Sequence, residues 1–222
     1  MPTNVSRRLR FRPLLHAIAL LAVVAGLRDN AAAQQPSILQ IRPGVWAAGI
    51  PTEEFEYFAA PETAGHQRQS NWCWAACVQM VLNYHGIPVT QEQVVERIFG
   101  GAAPNVAGQP DQILEALTGW AVTRDGQKVR VTSSAFAFDG SEIVRDLAER
   151  SPIVVGVRTS QATGHAYVLT AVTYTVNRAN EPIFLTAILR DPWPNNQSRI
   201  EVPWSTFQRN WMFMARVRVE PM

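Results

Sequence analysis

The sequence predicts an α+β fold in which a mainly helical first half is followed by a mainly β second half. The 222 residues are 47% apolar, which suffices for a packed core. Helix signals lie mostly before residue 118, whereas short runs rich in β-branched residues dominate from residue 153 onward. Segregated runs of helices and strands are typical of α+β domains and suggest two lobes with a cleft between them.

The first 33 residues have the pattern of a secretory signal peptide. A basic head with four arginines precedes an apolar run from Leu14 to Leu27, and the small residues 31–33 follow. The run covers 14 residues, fewer than the ~20 that a membrane-spanning helix needs. We therefore expect cleavage after Ala33, with an uncleaved anchor as the alternative. The mature chain is then secreted or periplasmic and has no stable membrane insertion.

The charge of the chain depends on this leader. Residues 1–33 hold five arginines and one aspartate, so their removal changes the formal charge from +2 to about −2. The mature part has no basic stripe and no arginine run interleaved with aromatic residues. The sequence therefore predicts no nucleic-acid partner, and it makes no prediction of oligomeric state.

Three helices are predicted in the first half of the mature chain. Residues 34–66 are interpreted as a lead-in or a short propeptide, with one strand near residues 40–48. An almost wholly apolar helix follows over residues 72–85, with Ser70 or Asn71 as its cap, and Gly86 ends it. The next helices span residues 90–98, with Thr90 as the cap, and residues 110–117.

The second half alternates strand-like runs with two further helices. Residues 141–150 are predicted as an amphipathic helix and residues 203–209 as a short one. The predicted strands cover residues 121–123, 153–158, 165–176, 183–189 and 212–219.

Cys73 is the first candidate for chemistry. A thiol reacts as the thiolate, and the first turn of a helix favours that anion through its free N–H groups and its dipole. Cys77 lies one turn further on the same helix and is expected in the core. A disulfide between residues four apart on one helix is geometrically poor. The alternative is that Cys73, like Cys77, is an unreactive residue of the buried core.

A thiolate needs a base, and His165 is the best placed one. His85 lies roughly 18 Å along the helix from Cys73 at ~1.5 Å per residue and is too far away. His165 follows Gly164 at the start of a predicted strand, and Asp191 follows the next one. If these strands form a hairpin, His165 and Asp191 meet at its open end. Taken singly, each residue also fits a purely structural role.

Taken together, these segments resemble the papain-like cysteine peptidases. Gln67 stands six residues before Cys73-Trp74-Ala75, and Gly164-His165-Ala166 and Asp191-Pro192-Trp193 follow in order. The pattern is most similar to the compact bacterial branch, with staphopain-like and plant-pathogen effector proteases. The plant-type Cys-Gly-Ser-Cys-Trp signature is absent, and the 92 residues between Cys73 and His165 are fewer than the roughly 130 of papain-type enzymes.

The resemblance implies a papain-like peptidase domain over residues 67–222, with a helical lobe, an antiparallel sheet lobe and the cleft between them. It implies that Cys73 attacks, His165 acts as base and then acid, Asp191 orients His165, and Gln67 donates to the oxyanion. Trp193 is expected to shield the histidine from water, with Trp74 and Gly164 also beside the site. The implied substrate is a polypeptide, and neither a cofactor nor a metal is expected.

Two other functions remain open on the sequence alone. Transglutaminase-like and arylamine acetyltransferase-like enzymes use the same three residue types for acyl transfer. A binding module that kept the fold and lost its chemistry is the other alternative. Gln67 at its spacing from Cys73 favours the peptidase.

Overall fold

The computed structural model describes residues 37–63, 65–161 and 163–222. These residues lie within one compact unit, Gln34–Met222. The predicted signal peptide and its cleavage site lie outside the described residues. No helix in the described part of the chain is both long enough and apolar enough to cross a bilayer.

Within the described residues lie eight strands and six α-helices. Their bounds, in chain order, are β1 Ile38–Arg42, β2 Val45–Gly49, α1 Thr52–Ala59, α2 Cys73–Tyr84, α3 Gln91–Phe99, α4 Pro110–Leu117, β3 Val129–Ala135, α5 Gly140–Ala148, β4 Ile153–Arg158, β5 Gly164–Val176, β6 Pro182–Arg190, β7 Arg199–Pro203, α6 Trp204–Asn210 and β8 Trp211–Pro221.

One antiparallel sheet organises the described strands. Its main order is β1-β2-β5-β4-β8-β3. Strand β6 also pairs with β5, and β7 pairs with β6. The long strand β5 is the centre, because residues 164–169 pair with β4 while residues 171–174 pair with β2. Strand β6 pairs with β5 over residues 168–176. The start of β5, at residues 164–167, is held by its pairing with β4.

The sheet is buried on both faces. Successive residues of β4 point to opposite sides, so Val154 joins the core under the first helices while Ile153 and Val155 join a second core. Helix α2 lies in the first core, and every residue from Trp74 to Leu82 is buried. This agrees with the apolar sequence of α2, which predicted burial on most sides.

The predicted α+β fold is confirmed, and so are most of its elements. Helix α4 and strand β4 have the predicted bounds. Thr90 caps α3 in a reciprocal capping box with Gln93, since each side chain bonds the other's backbone N–H. These elements have strong local signals, which the tertiary contacts reinforce.

Other predicted elements differ from the structure. The single strand expected at residues 40–48 is a hairpin of β1 and β2, which turns at Gly44 with a φ of 72°. Residues 121–123 form only an isolated bridge, Val122 to Lys128. Helix α1 and strands β3 and β7 were not predicted. The described part of the expected lead-in supplies β1, β2 and α1, and Phe55 of α1 is fully buried. The domain boundary at residue 66 stays a prediction.

Candidate active site

Cys73 is the first residue of α2, and its N-terminal environment differs from the one predicted. The residue before the helix is Trp72, and no side chain caps the first turn. The expected cap Asn71 instead donates its Nδ2 to Asn105 O at 3.1 Å, and Asn105 donates to Ser70 Oγ at 3.0 Å. The prediction of Ser70 or Asn71 as cap was therefore wrong, because a distant loop binds both side chains.

This missing cap has a chemical consequence. A capping side chain would occupy backbone N–H groups at the start of the helix. Here the backbone N–H groups of Trp74 and of Ala166 in β5 both lower the pKa of the Cys73 thiol. The helix start is thus available for a negative charge on sulfur.

His165 and Asp191 meet as the predicted hairpin requires. Strands β5 and β6 pair with Val168 opposite Arg190, so the residues at the open end of the hairpin lie side by side. His165 Nε2 is 2.8 Å from Asp191 Oδ1. The other ring nitrogen, Nδ1, is left free of Asp191, and the Cys73 thiol is close enough to the imidazole to raise its pKa.

The contacts between Cys73 and His165 favour an ion pair. Burial alone raises the pKa of the Cys73 thiol, but the hydrogen bond and charge of His165 outweigh it and hold that pKa below its ordinary 9.0. Burial alone lowers the pKa of His165, but Asp191 and Cys73 raise it to about 9. Both shifts favour the thiolate and imidazolium forms of the pair.

The Asp191 carboxylate is buried, and both of its oxygens accept hydrogen bonds. Its Oδ1 accepts from His165 and from the Trp193 N–H at 2.9 Å, and its Oδ2 accepts from Asn196 Nδ2 at 2.7 Å. Burial alone raises the pKa of this carboxyl, but the three donors reverse the effect and lower it. Asn196 was missed in the sequence, where it is only one of two asparagines in a turn.

Gln67 lies near the start of α2, but its side chain has other partners. Its Nε2 donates to the carbonyls of Gln69 and Ser70, both at 2.9 Å. The residue is 5% exposed, and its Oε1 is buried without a hydrogen-bond partner. Donation to an oxyanion would require one of these bonds to be released, so that role stays a prediction.

The aromatic residues expected at the site take different positions. The Trp193 ring lies 6.1 Å from the His165 ring and is 38% exposed. Trp74 is buried behind Cys73 and donates its Nε1 to Val106 O at 3.1 Å. Tyr167, which the sequence did not indicate, meets the His165 ring edge-on at 4.6 Å. Burial raises its pKa to about 12, so it stays neutral.

Cys73 and His165 lie between two arms of a cleft that runs between the helices and the sheet. Among the described residues, those that line the apolar arm, of about 360 Å³, include no ionisable group besides these two, and its walls include Trp74, Ile113, Val157, Met212 and Phe213. The polar arm, of about 460 Å³, is lined by residues such as Ser70, Asn71, Thr163, Tyr167 and Asn196. Gly164 lines both arms.

The remaining candidates do not contribute to this cluster of functional groups. Cys77 is fully buried, burial raises its pKa well above 9.0, and both cysteines are free. His85 directly follows α2 as its C-cap, and burial lowers its pKa to about 4, so it is neutral. Within the described ranges, no group of three or more His, Cys, Asp or Glu side chains is arranged to hold a metal ion.

A helix-borne thiol beside a sheet-borne imidazole and carboxylate, in an α+β fold with a cleft, is the arrangement expected of the class of papain-like cysteine peptidases. The chain belongs to the Peptidase_C39 like family, whose model matches residues 54–219, about three quarters of its length. It is accordingly a cysteine peptidase.

Solved structures that are similar to this chain were also found. The peptidase domain of Streptococcus ComA, a bi-functional ABC transporter involved in quorum sensing, is 17% identical with a TM-score of 0.49 and aligns over 71% of this chain and 96% of that one. A double glycine motif protease from an AMS/PCAT transporter, in complex with the leader peptide, is 16% identical with a TM-score of 0.44, over 71% and 89%. No curated protein matches the sequence.

Proposed function

We propose that the protein is an exported cysteine endopeptidase that hydrolyses polypeptides through Cys73, His165 and Asp191. The observation that carries the proposal is the continuous contact from the Cys73 thiol through His165 to the buried Asp191 carboxylate. Nucleophile, base and orienting group are the three parts that acyl transfer by a side chain requires. The narrower resemblance to staphopain-like and effector proteases belongs to the same proposal.

The first half of the reaction forms an acyl-enzyme. The Cys73 thiolate attacks the peptide carbonyl carbon, and a sulfur–carbon bond forms while the carbonyl electrons move to oxygen. The His165 imidazolium gives its proton to the leaving nitrogen, and the carbon–nitrogen bond breaks to leave a thioester. The backbone N–H of Cys73, joined by Gln67 if its amide turns, is proposed to stabilise the oxyanion.

The second half is hydrolysis of the thioester. Neutral His165 takes a proton from water, the hydroxyl oxygen attacks the carbonyl carbon, and the carbon–sulfur bond breaks. The thiolate and the imidazolium are then restored. Asp191 keeps the imidazole oriented and stabilises its positive charge throughout.

Cleavage within a chain fits the shape of the cleft. Cys73 and His165 line both the apolar and the polar arm, so a substrate can extend from the reacting carbonyl in two directions. This arrangement favours an endopeptidase over an enzyme that removes terminal residues.

Hydrolysis of casein by the mature protein tests the function. We expect wild-type protein to release peptides and Cys73→Ala to release none, with both variants equally folded by circular dichroism. Repeating the assay with an added amine separates hydrolysis from acyl transfer. Amide products without new termini would replace the peptidase proposal by the transferase alternative, and inactivity of the wild type would favour the binding module.

Export is proposed on the pattern of residues 1–33, with their basic head, apolar run and small-residue exit. Expression of the full chain in a bacterium, followed by mass spectrometry of the exported protein, tests it. We expect a new N-terminus at Gln34. Retention of the full-length chain in the membrane fraction would contradict cleavage, and a start near residue 60 would identify a propeptide.

A further inference from the structure

The buried carboxylate of Asp191 is held on both of its oxygens. Oδ1 accepts from His165 Nε2 at 2.8 Å and from the Trp193 N–H at 2.9 Å, while Oδ2 accepts from Asn196 Nδ2 at 2.7 Å. Asp191 is 3% exposed, so an unpaired oxygen would carry a large desolvation cost. In the described structure Asn196 is the group that satisfies Oδ2.

The backbone places Asn196 for this contact. The Asn196 N–H donates to Trp193 O at 3.1 Å, and the Asp191 N–H donates to Ser198 O at 2.7 Å. These bonds close a turn between β6 and β7 that brings residue 196 back over residue 191. The Asn196 side chain also lines the polar arm of the cleft, beside Trp193.

From this geometry we propose that Asn196 is a positioning residue that locks the Asp191 carboxylate in the plane needed to hold His165. The inference rests on the proposed function, since it assigns Asn196 to the proposed catalytic groups. Without the bond to Oδ2, the carboxylate turns about its χ2 angle toward another donor, and its contact with His165 weakens. The imidazole then loses both its orientation and part of the stabilisation of its charge.

The titratable groups that act on this cluster come from two elements besides the Asp191 turn. Helix α2 contributes Cys73 and Cys77, and strand β5 contributes His165 and Tyr167. Cys77 and Tyr167 are neutral near pH 7, because burial raises the pKa of each. A change at Asn196 is therefore expected to change the titration of the Cys73–His165 pair.

The chain offers a matched pair of variants. Asn196→Leu keeps the shape of the side chain and removes the donor, and Asn195→Leu makes the same change at the adjacent residue, which is exposed like Asn196. Since bonds to charged groups contribute about 1.5–3 kcal/mol, we expect Asn196→Leu to lower kcat/KM roughly tenfold to a hundredfold. We expect no change in Asn195→Leu.

The decisive readout is the titration of His165, followed by NMR on protein with 13C-labelled histidine. We expect the wild-type midpoint near 9, a lower midpoint in Asn196→Leu, and the wild-type midpoint in Asn195→Leu. An unchanged midpoint in folded Asn196→Leu overturns the proposal, even where kcat/KM falls. The titration needs no peptidase activity. A shifted midpoint in a protein without hydrolytic activity would therefore support the role of Asn196 and refute the endopeptidase.

Discussion

At the residue scale, the charge of the Cys73 sulfur depends on groups from three segments of the chain. The helix start supplies the Trp74 N–H, β5 supplies His165 and the Ala166 N–H, and the turn after β6 supplies Asp191 behind the imidazole. The thiol of Cys77, four residues away on the same helix, has the opposite environment and a raised pKa. Position relative to these donors, and not residue type, separates the two cysteines.

The dependence of activity on pH follows from the two shifted groups. The proposed reaction needs the thiolate and the imidazolium together, so kcat/KM rises as pH passes the lowered pKa of Cys73 and falls as pH passes about 9, where His165 loses its proton. Initial rates of peptide cleavage between pH 4 and 11 measure both limbs. An alkaline limb near 6.5, the ordinary pKa of histidine, would contradict the ion pair.

Alkylation of Cys73 isolates the thiolate from the rest of the reaction. We expect iodoacetamide to label wild-type protein faster than a free thiol at mildly acid pH, because the lowered pKa of Cys73 increases the thiolate fraction there. In His165→Ala the labelling at that pH should slow toward that of a free thiol. Cys73→Ala is the control for Cys77, which is fully buried and should not react. Equal rates in wild type and His165→Ala would exclude activation by His165.

At the element scale, α3 has a cap whose contribution can be measured. Thr90 Oγ1 accepts from the Gln93 N–H at 3.2 Å, and the Thr90 N–H donates to Gln93 Oε1 at 2.9 Å. Loss of such a cap costs about 1 kcal/mol. We expect Thr90→Ala to lower the free energy of unfolding in urea by about that amount, and Thr90→Ser to retain most of it. Equal losses in both variants would show that the methyl group of Thr90, and not its hydroxyl, is responsible.

The loop before α4 is the element that holds the apolar arm of the cleft against α2. Pro104 and Val106 accept the indole N–H groups of Trp72 and Trp74. At Gly108 the backbone lies so close that an added Cβ would be 2.6 Å from the Trp74 ring. Glycine is therefore required there by close approach, since a buried indole cannot move aside without disturbing the core.

Gly108→Ala tests this close approach. We expect it to lower the free energy of unfolding by about 1–3 kcal/mol through overpacking, and to lower kcat/KM because the displaced loop borders Cys73. In the Trp74→Ala background, which has no ring to clash with, the same substitution should cost nothing further. An equal cost in both backgrounds would place the strain elsewhere.

At the scale of the whole molecule, a buried ionic cluster joins α5 to the sheet. Asp146 is fully buried, and its carboxylate pairs with Arg216 and Arg218 of β8. Glu142, one turn earlier on α5, pairs with Arg216 and Arg145 at the surface. The cluster borders the second core and lies on β8, the strand that also pairs with β4. It therefore links helix α5 to the central strands of the sheet.

Neutralising each carboxylate compares the buried and the exposed pair. Removal of one partner from a buried cluster typically costs about 3–5 kcal/mol, so Asp146→Asn should strongly lower the urea midpoint. Glu142→Gln should shift the midpoint much less, because surface pairs are screened by water. A larger loss in Glu142→Gln than in Asp146→Asn would contradict this assignment of the buried carboxylate.

The sequence by itself determined the elements with strong local signals and the order of the chemical groups. Helix α4 starts at a proline and α3 at a capping box, and both are features of a few adjacent residues. The open end of the β5–β6 hairpin was also predictable, because antiparallel pairing brings the first residue of one strand to the last of the next. Pairing of these two neighbouring strands brings His165 beside Asp191 without any long-range contact.

Only the tertiary structure decided which partner each polar side chain takes. Asn71 had the right residue type to cap α2, but it binds Asn105, more than 30 residues away. Asn196 lies in a sequence typical of a turn, yet the turn folds back so that the side-chain amide of Asn196 donates to Asp191. A hydrogen bond needs two groups about 3 Å apart, and separation along the chain does not determine that distance. The local sequence therefore predicted where the thiol and the imidazole lie, while the packed loops decided how they are charged and held.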